Sequence, residues 1–180
     1  MAELISIRYA ESLFEAGLEL DKIDSFRKEL ESVQDLLRKE VEIFEILKHP
    51  RITRKEKKSL IDEIFTGRLS QELINFFYVV IDRRREKYLH QIIEQFNQLY
   101  NQHMNIANVT AVTAIPMAEK PKERLASVLE ERLGKKIVLS NEVDESIIGG
   151  VLLKIDNKFI DSTLASQLKA METAIKGVSL

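Results

Sequence analysis

Three histidines, His49, His90 and His103, are the only imidazoles in the 180 residues, and cysteine is absent. Without thiols there can be no disulfide, no thiolate nucleophile and no Cys-based zinc site, a composition that suits a reducing compartment. His90 and Glu94 stand at i,i+4, so a helix would bring both to one face, where they could share a metal ion. A complete ligand set needs more than these two, and a surface histidine is the better account of His90. Serines are numerous, yet none sits in a nucleophile-elbow pattern and no spacing suggests a triad. The carboxylates fall mostly on polar helix faces beside Lys or Arg, as Glu56 does before Lys57-Lys58. That pattern belongs to a solvated surface rather than to a carboxylate pair tuned for proton transfer. The expectation is therefore a protein with no catalytic residues, no metal and no cofactor.

Two further clusters invite chemistry and fail on context. Arg83-Arg84-Arg85 is the strongest basic run, but Asp82 and Glu86 flank it and no aromatic stacking partners accompany it. A helix C-terminus favours cations, which accounts for part of the cluster. The formal net charge of −2 also removes the whole chain from the class of electrostatic nucleic-acid binders. Gly149-Gly150 looks like the start of a phosphate loop. However, it runs straight into Val151-Leu-Leu-Lys-Ile155, with no helix N-terminus to hold a phosphate and no Gly-Lys-Ser/Thr. A bulge or a close backbone approach fits those glycines better than nucleotide binding.

The elements that carry these residues fall into two halves. From Leu4 to about Met104 the apolar spacing is helical, with Pro50 the sole proline. It predicts helices over 4–20, 22–39, 41–48, 54–65, 70–86 and 88–104. Asp21 or Asp24 is expected to cap the second, and Pro50 to break the chain after the third. Thr53 with Glu56 predicts a capping box for the fourth, Gly67 lies just past its end, and Ser70 is a weaker start signal for the fifth. After Met104 the β-branched run Asn108–Ile115 reads as a strand. Pro116 and Pro121 mark a turn, then a helix runs from Glu119 to Leu133 and ends at Gly134. Lys136–Ser140 and Ile148–Ile155 read as two more strands, and a last helix covers about Ser162 to Lys176, capped by Gly177.

The expected fold is mainly α: an N-terminal six-helix bundle over residues 1–105, then a small α/β C-terminal domain over 106–180. The first part carries 17 basic and 19 acidic side chains and the second 10 and 10, so neither is a charged tail. The longest apolar cluster, Phe76 to Ile81, is far shorter than the ~20 residues a membrane-spanning helix needs. The opening Met1-Ala2-Glu3-Leu4-Ile5 lacks the basic and apolar regions of a secretory signal.

The first helix has more apolar surface than a bundle face requires. Laid out at 100° per residue, its apolar positions span roughly 220°, against a stripe of about 100° for an ordinary surface helix. Ile5, Tyr9, Leu13, Ala16 and Leu20 form one side, and Ile7, Ala10, Phe14, Gly17 and Leu18 extend it. Either the helix is central and its own bundle covers it, or one edge faces outward and accepts a helix from another protein, with Ala10, Ala16 and Gly17 allowing close approach. In the fifth helix Leu73, Phe76, Phe77, Val80 and Ile81 form a core face, while Tyr78 and Val79 lie off it. Surplus apolar surface on two helices is what helix-in-groove binding requires.

On these residues the chain resembles the delta-subunit family of the F-type ATP synthase, also called the oligomycin-sensitivity-conferring protein family. The resemblance begins at Arg8-Tyr9-Ala10-Glu-Ser-Leu13-Phe14 and is denser towards the C-terminus. There it comprises Ile137-Val-Leu139, Val143-Asp144, Ile147-Ile148-Gly149-Gly150-Val151, Lys154-Ile155, Ile160-Asp161-Ser162 and Leu168. Three departures stand out. Asp156-Asn157 replaces the usual Gly-Asp of a hairpin, Asp161-Ser162-Thr163 the common Asp-Gly-Ser, and Asp82-Arg83-Arg84-Arg85 a segment that usually contains Asn-Gly-Arg.

The resemblance implies a non-catalytic stator subunit of a proton-translocating rotary synthase, linking the catalytic head to the peripheral stalk. It implies that the helical bundle grips the N-terminal helix of an alpha subunit, with Tyr9, Leu13, Ala16, Phe76, Val79 and Val80 in the groove. The C-terminal domain would meet the distal end of the b-subunit stalk through Leu164, Leu168 and Met171, with Gly149, Gly150 and Asp161 structural. The expected location is the cytoplasmic face of a bacterial cell membrane, attached only through the complex. A free-standing adaptor that offers the same groove to other helices is the alternative function.

Overall fold

A computed structural model describes residues 2–155 and 158–177. The chain is mostly helical with one small sheet, and it divides into two compact units at Tyr100/Asn101.

The first unit contains α1 (Ala2–Glu19), α2 (Ile23–Lys39), α3 (Val41–Lys48), α4 (Arg54–Phe65), α5 (Gln71–Asp82), a 3-10 turn (Glu86–Tyr88) and most of α6 (Leu89–His103). Its core follows from helical spacing. In α2 the buried residues Ile23, Phe26, Leu30, Val33 and Leu37 recur every three or four positions, so one stripe enters the core while Lys and Glu face water. Phe26, Phe77 and Phe96 are almost fully buried, and Phe65 stacks on Phe77 with ring centroids 6.1 Å apart. Gly17 lies at a close approach of α1 and α2: a Cβ there would come within 2.9 Å of Ile23 Cδ1 and 3.1 Å of Phe26 Cδ2. Ala10 is fully buried as well. The small residues of α1 expected to admit a foreign helix thus include two, Ala10 and Gly17, that are occupied by the protein's own packing.

The helix ends explain where the elements stop. Thr53 Oγ1 accepts from the Glu56 N–H, and Glu56 Oε2 accepts from the Thr53 N–H at 2.8 Å, which closes the capping box. The Thr53 backbone N–H first, and then the Thr53 hydroxyl, which also donates to Glu56 Oε2 at 2.8 Å, hold the Glu56 carboxyl below its ordinary pKa. The expected caps of α2 are not there. Lys22 occupies the cap position, Asp21 turns left-handed at φ 54°, and Asp24 accepts instead from the Tyr100 hydroxyl at 2.6 Å. Ser70 begins α5 without capping it; Glu29 Oε2, reaching across from α2, accepts from both its N–H and its hydroxyl. The expected continuation of α5 to residue 86 is also corrected. The helix ends at Asp82, where Arg84 N–H bonds to Ile81 and Arg85 N–H to Val80, both at 2.9 Å, and Arg84 takes φ 54°. This is a Schellman ending with an arginine at the left-handed position that glycine usually holds.

The second unit is built on a four-stranded sheet in the order β2-β1-β3-β4. Its strands are β1 (Ile106–Thr113), β2 (Lys136–Val143), β3 (Leu152–Ile155) and β4 (Lys158–Asp161). β1 and β2 are parallel and joined through α7 (Glu119–Leu133), because parallel neighbours need a crossover. β3 pairs antiparallel with both β1 and β4. Alternation along β1 sends Ala107, Val109 and Ala111 into a core completed by Leu129, Ile137 and Leu153. Pro121 is not in a turn, as expected, but in the first turn of α7, where a missing N–H is not needed. The expected strand at 108–115 is shifted two residues earlier, and Ile115 is left exposed beyond it. The third expected strand begins at Leu152 rather than Ile148, and β4 did not stand out in the residue pattern. α8 spans Leu164–Gly177. The hairpin departure at Asp156-Asn157 lies outside the described residues.

Candidate functional site

In the first unit α1 and α5 border a cavity of about 680 Å³ lined by Leu4, Ile5, Arg8, Tyr9, Ser12, Phe76, Val79, Arg83 and Arg85. Its walls follow from the local sequence. Ile5 and Tyr9 are one helical turn apart on α1, and Phe76, Val79 and Arg83 succeed one another at helical spacing on α5. The Tyr9 and Phe76 rings meet edge to face across the cavity wall, 6.4 Å apart at 70°. Leu4 is 71% and Val79 51% exposed, a large apolar outlay for two helices that have otherwise buried their cores. Arg8, Arg83 and Arg85 give the apolar trough a cationic rim.

This geometry separates the six groove residues expected from sequence. Tyr9, Phe76 and Val79 line the cavity. Leu13 and Val80 do not: they are 4% and 1% exposed and belong to the helical core. The wheel could not tell the inner edge of an apolar arc from its outer edge, and these two lie on the inner edge. Ala16 is half-buried and outside the lining. Sequence reasoning missed Leu4, Ile5, Arg8, Ser12, Arg83 and Arg85. For Leu4 and Ile5 the signal is present in the apolar start of α1; Arg8 lies on the polar arc of that helix, and Arg83 and Arg85 read as a helix-end feature.

In the second unit Leu164, Leu168 and Met171 lie at helical spacing along one face of α8 and are 46%, 63% and 62% exposed. A separate apolar cleft of about 580 Å³ joins Thr113–Ala118 and Pro121 to Ile148, Gly149 and Gly150. Gly150 earns its place sterically: at φ 86° a Cβ would stand 2.4 Å from the Ser162 carbonyl oxygen. At Gly149 a Cβ would come within 2.9 Å of Leu164 Cδ1. Asp161 fixes the start of α8. Its Oδ1 accepts from the Thr163 N–H at 2.9 Å and its Oδ2 from the Ser166 hydroxyl at 2.6 Å. These bonds, the Ser166 hydroxyl first, hold its carboxyl below the usual range.

The residues weighed for chemistry do not assemble. His90 is not a plain surface histidine: its ring packs edge-on against Phe44 with centroids 4.4 Å apart, and burial pushes its pKa down, with Glu94 opposing. Among the described residues no group of three or more His, Asp or Glu could hold a metal ion, and no described helix is long and apolar enough to cross a membrane. Lys57 donates to Glu86 in a buried ion pair that ties α4 to the 3-10 turn, a structural contact.

Comparison with known proteins draws these features together. The family described as "ATP synthase delta (OSCP) subunit" matches residues 5–175. A protein of Alkaliphilus oremlandii named "ATP synthase subunit delta" is 39% identical over 178 residues, covering 99% of both chains. One of Clostridioides difficile with the same name is 36% identical over 179 residues, again covering 99% of each. A chain in the cryo-EM structure of the Toxoplasma gondii mitochondrial ATP synthase hexamer shares the fold, with a TM-score of 0.77 at 17% identity over 94% of this chain and 96% of that one.

Proposed function

The chain belongs to the ATP synthase delta (OSCP) subunit family, and on that premise we propose that its two units each hold one partner. Membership makes it a structural stator subunit of the F-type ATP synthase rather than a catalytic one. In our reading the helical unit, a six-helix bundle, holds the N-terminal helix of an alpha subunit in the α1–α5 groove. The α/β unit holds the C-terminal end of the b-subunit stalk on the exposed face of α8, and the assembly stands at the cytoplasmic face of a bacterial membrane.

The observation that carries this reading is the exposure of Val79 and Leu4 beside the Tyr9–Phe76 pair, apolar surface between two helices of the kind an amphipathic helix covers. The mechanism is load bearing. Torque on the rotor also acts on the head, and the head stays fixed only if both joints outlast the load. A joint of nanomolar affinity corresponds to about 12 kcal/mol, which a few fully desolvated apolar anchors supply. Leu13 and Val80 act from beneath, setting the spacing of α1 and α5.

Calorimetric titration of the full chain with a peptide copying the alpha-subunit N-terminal helix from the same source tests the groove. Tight 1:1 binding, weakened at least tenfold by Tyr9→Asp or Val79→Asp in folded protein, is the expected result. Equal binding of unrelated amphipathic helices would instead favour the adaptor function. No binding by folded protein would place the head contact elsewhere.

A further inference from the structure

We propose that a second, cationic cleft in the helical unit binds a small compound carrying two or more phosphate groups. The cleft lies between the α3–α4 connection and the turn after α5, encloses about 560 Å³, and falls in the size range of small-molecule sites. Lys48, Arg51, Arg54, Lys57, Arg84 and Lys87 line it, with Glu86 the one carboxylate among the lining residues.

Two of these charges are already matched: Lys48 pairs with Glu45 at 2.6 Å, and Lys57 with Glu86. Arg51, Arg54 and Arg84 are exposed and have no carboxylate within ion-pair distance among the described residues. Three guanidinium groups gathered around one concavity repel one another unless an anion joins them. Their planar forks suit phosphate oxygens, which accept two parallel N–H bonds from each.

Glu86 is buried at the cleft wall, and its Oε2 has no hydrogen-bond partner. That oxygen is closed off from the cleft as well as from water, so an anion in the cleft would be held by the arginines alone. Arg84 occupies the left-handed position of the Schellman turn, which glycine would hold without strain. The three consecutive arginines therefore divide between two sites: Arg83 and Arg85 line the α1–α5 groove, and Arg84 lines the cleft. An acidic protein segment would also match the charge, but the cationic groups surround a concave volume rather than a flat track.

The proposal stands apart from the helix-binding groove, and its test uses no partner subunit. The full chain is titrated calorimetrically with inorganic pyrophosphate at low salt without divalent cations. One-to-one binding is expected, weakening as salt rises. Arg84→Gly and Arg54→Gln should each weaken it by about tenfold or more, the consequence of removing a charged hydrogen-bond donor. Arg84→Gly relieves the turn, so its melting temperature should not fall, which separates loss of binding from loss of fold. Arg68→Gln, at an exposed cation outside the cleft lining, should bind as the parent does. No heat of binding, parental affinity in Arg84→Gly, or an equal loss in Arg68→Gln would each overturn the proposal. Displacement of pyrophosphate by a lower concentration of a glutamate-rich peptide would overturn it too, assigning the cleft to an acidic protein segment.

Discussion

The helical unit gathers twenty buried apolar residues into one cluster, while the α/β unit gathers six. The first has its own core and places part of its leftover apolar surface, Leu4 and Val79 above all, along a groove. The second leaves outside as much as it buries: Ile115, Ile148, Phe159 and Leu168 are all more than 60% exposed. A sheet with so thin a core is marginal by itself, and large exposed apolar side chains of this kind are where the proposed stalk contact would add to it. On the proposed function, one unit would bind with surface it can spare and the other with surface it needs to cover.

Equal damage to both units would sharpen this contrast most. Phe77→Ala opens the centre of the helical core and should cost about 4 kcal/mol, yet leave the unit folded at 25 °C by circular dichroism. Gly150→Ala meets a φ of 86° and the Ser162 carbonyl, and should cost about 3 kcal/mol. In the thinner unit that smaller penalty should be enough to melt β1–β4. Amide exchange would show protection lost from residues 106–161 and kept in α2 and α6. Uniform protection would mean that the small core is sturdier than its size suggests.

Val79→Asp probes the spare surface. Its stability cost should stay within about 0.5 kcal/mol, since the side chain is half exposed, while affinity for the alpha-subunit peptide falls at least tenfold. A large fall in melting temperature would show that the groove wall is part of the core after all.

The smallest effects are those of pH. Asp161 has a depressed pKa in the folded state, so its contribution to the start of α8 is present above the unfolded carboxylate pKa of about 3.9 and is lost as pH falls through the lower folded value. Acid should therefore loosen α8, and Asp161→Asn should remove that part of the pH dependence, read from the amide exchange of residues 164–168. His90 acts in the other unit and in a higher range. Its lowered pKa means that the unfolded chain takes up the proton first, so the helical unit should begin to lose stability below about pH 6.5. His90→Gln should flatten that slope in urea titrations.

The two units also differed in how much of them the sequence disclosed. α3 and α4 were legible to the residue, because a proline and a capping box are local signals. The end of α5 was not: Arg83–Glu86 is a good helical sequence, and the left-handed turn at Arg84 has no glycine to announce it. β4 was hidden because four exposed residues carry no period, and its place depends on pairing with β3. Among the cavity-lining residues, Val79 stood off the core face of its helix and Tyr9 within the wide apolar arc of α1, while Phe76 reads from spacing as core and is placed in the groove only by the family resemblance. Leu13 and Val80 were misread because a wheel gives an angle but not the neighbour that covers it. The cationic cleft was illegible, since it combines three segments that only the fold brings together.

The parallel pairing of β1 with β2 has a consequence for the birth of the chain. Every partner lies thirty positions on, from Ile106 with Lys136 to Thr113 with Val143. Closing a loop of that length costs about 3 kcal/mol of chain entropy before any strand contact repays it. On the ribosome β1 must therefore wait for α7 and β2 to emerge, while the helical unit ahead of it can already have collapsed through short-range contacts. During that interval the Val109–Val112 stretch is an unpaired, β-prone segment. Slowing translation just after β2 should then raise the soluble yield, by giving the sheet time to close before its edges meet another nascent chain.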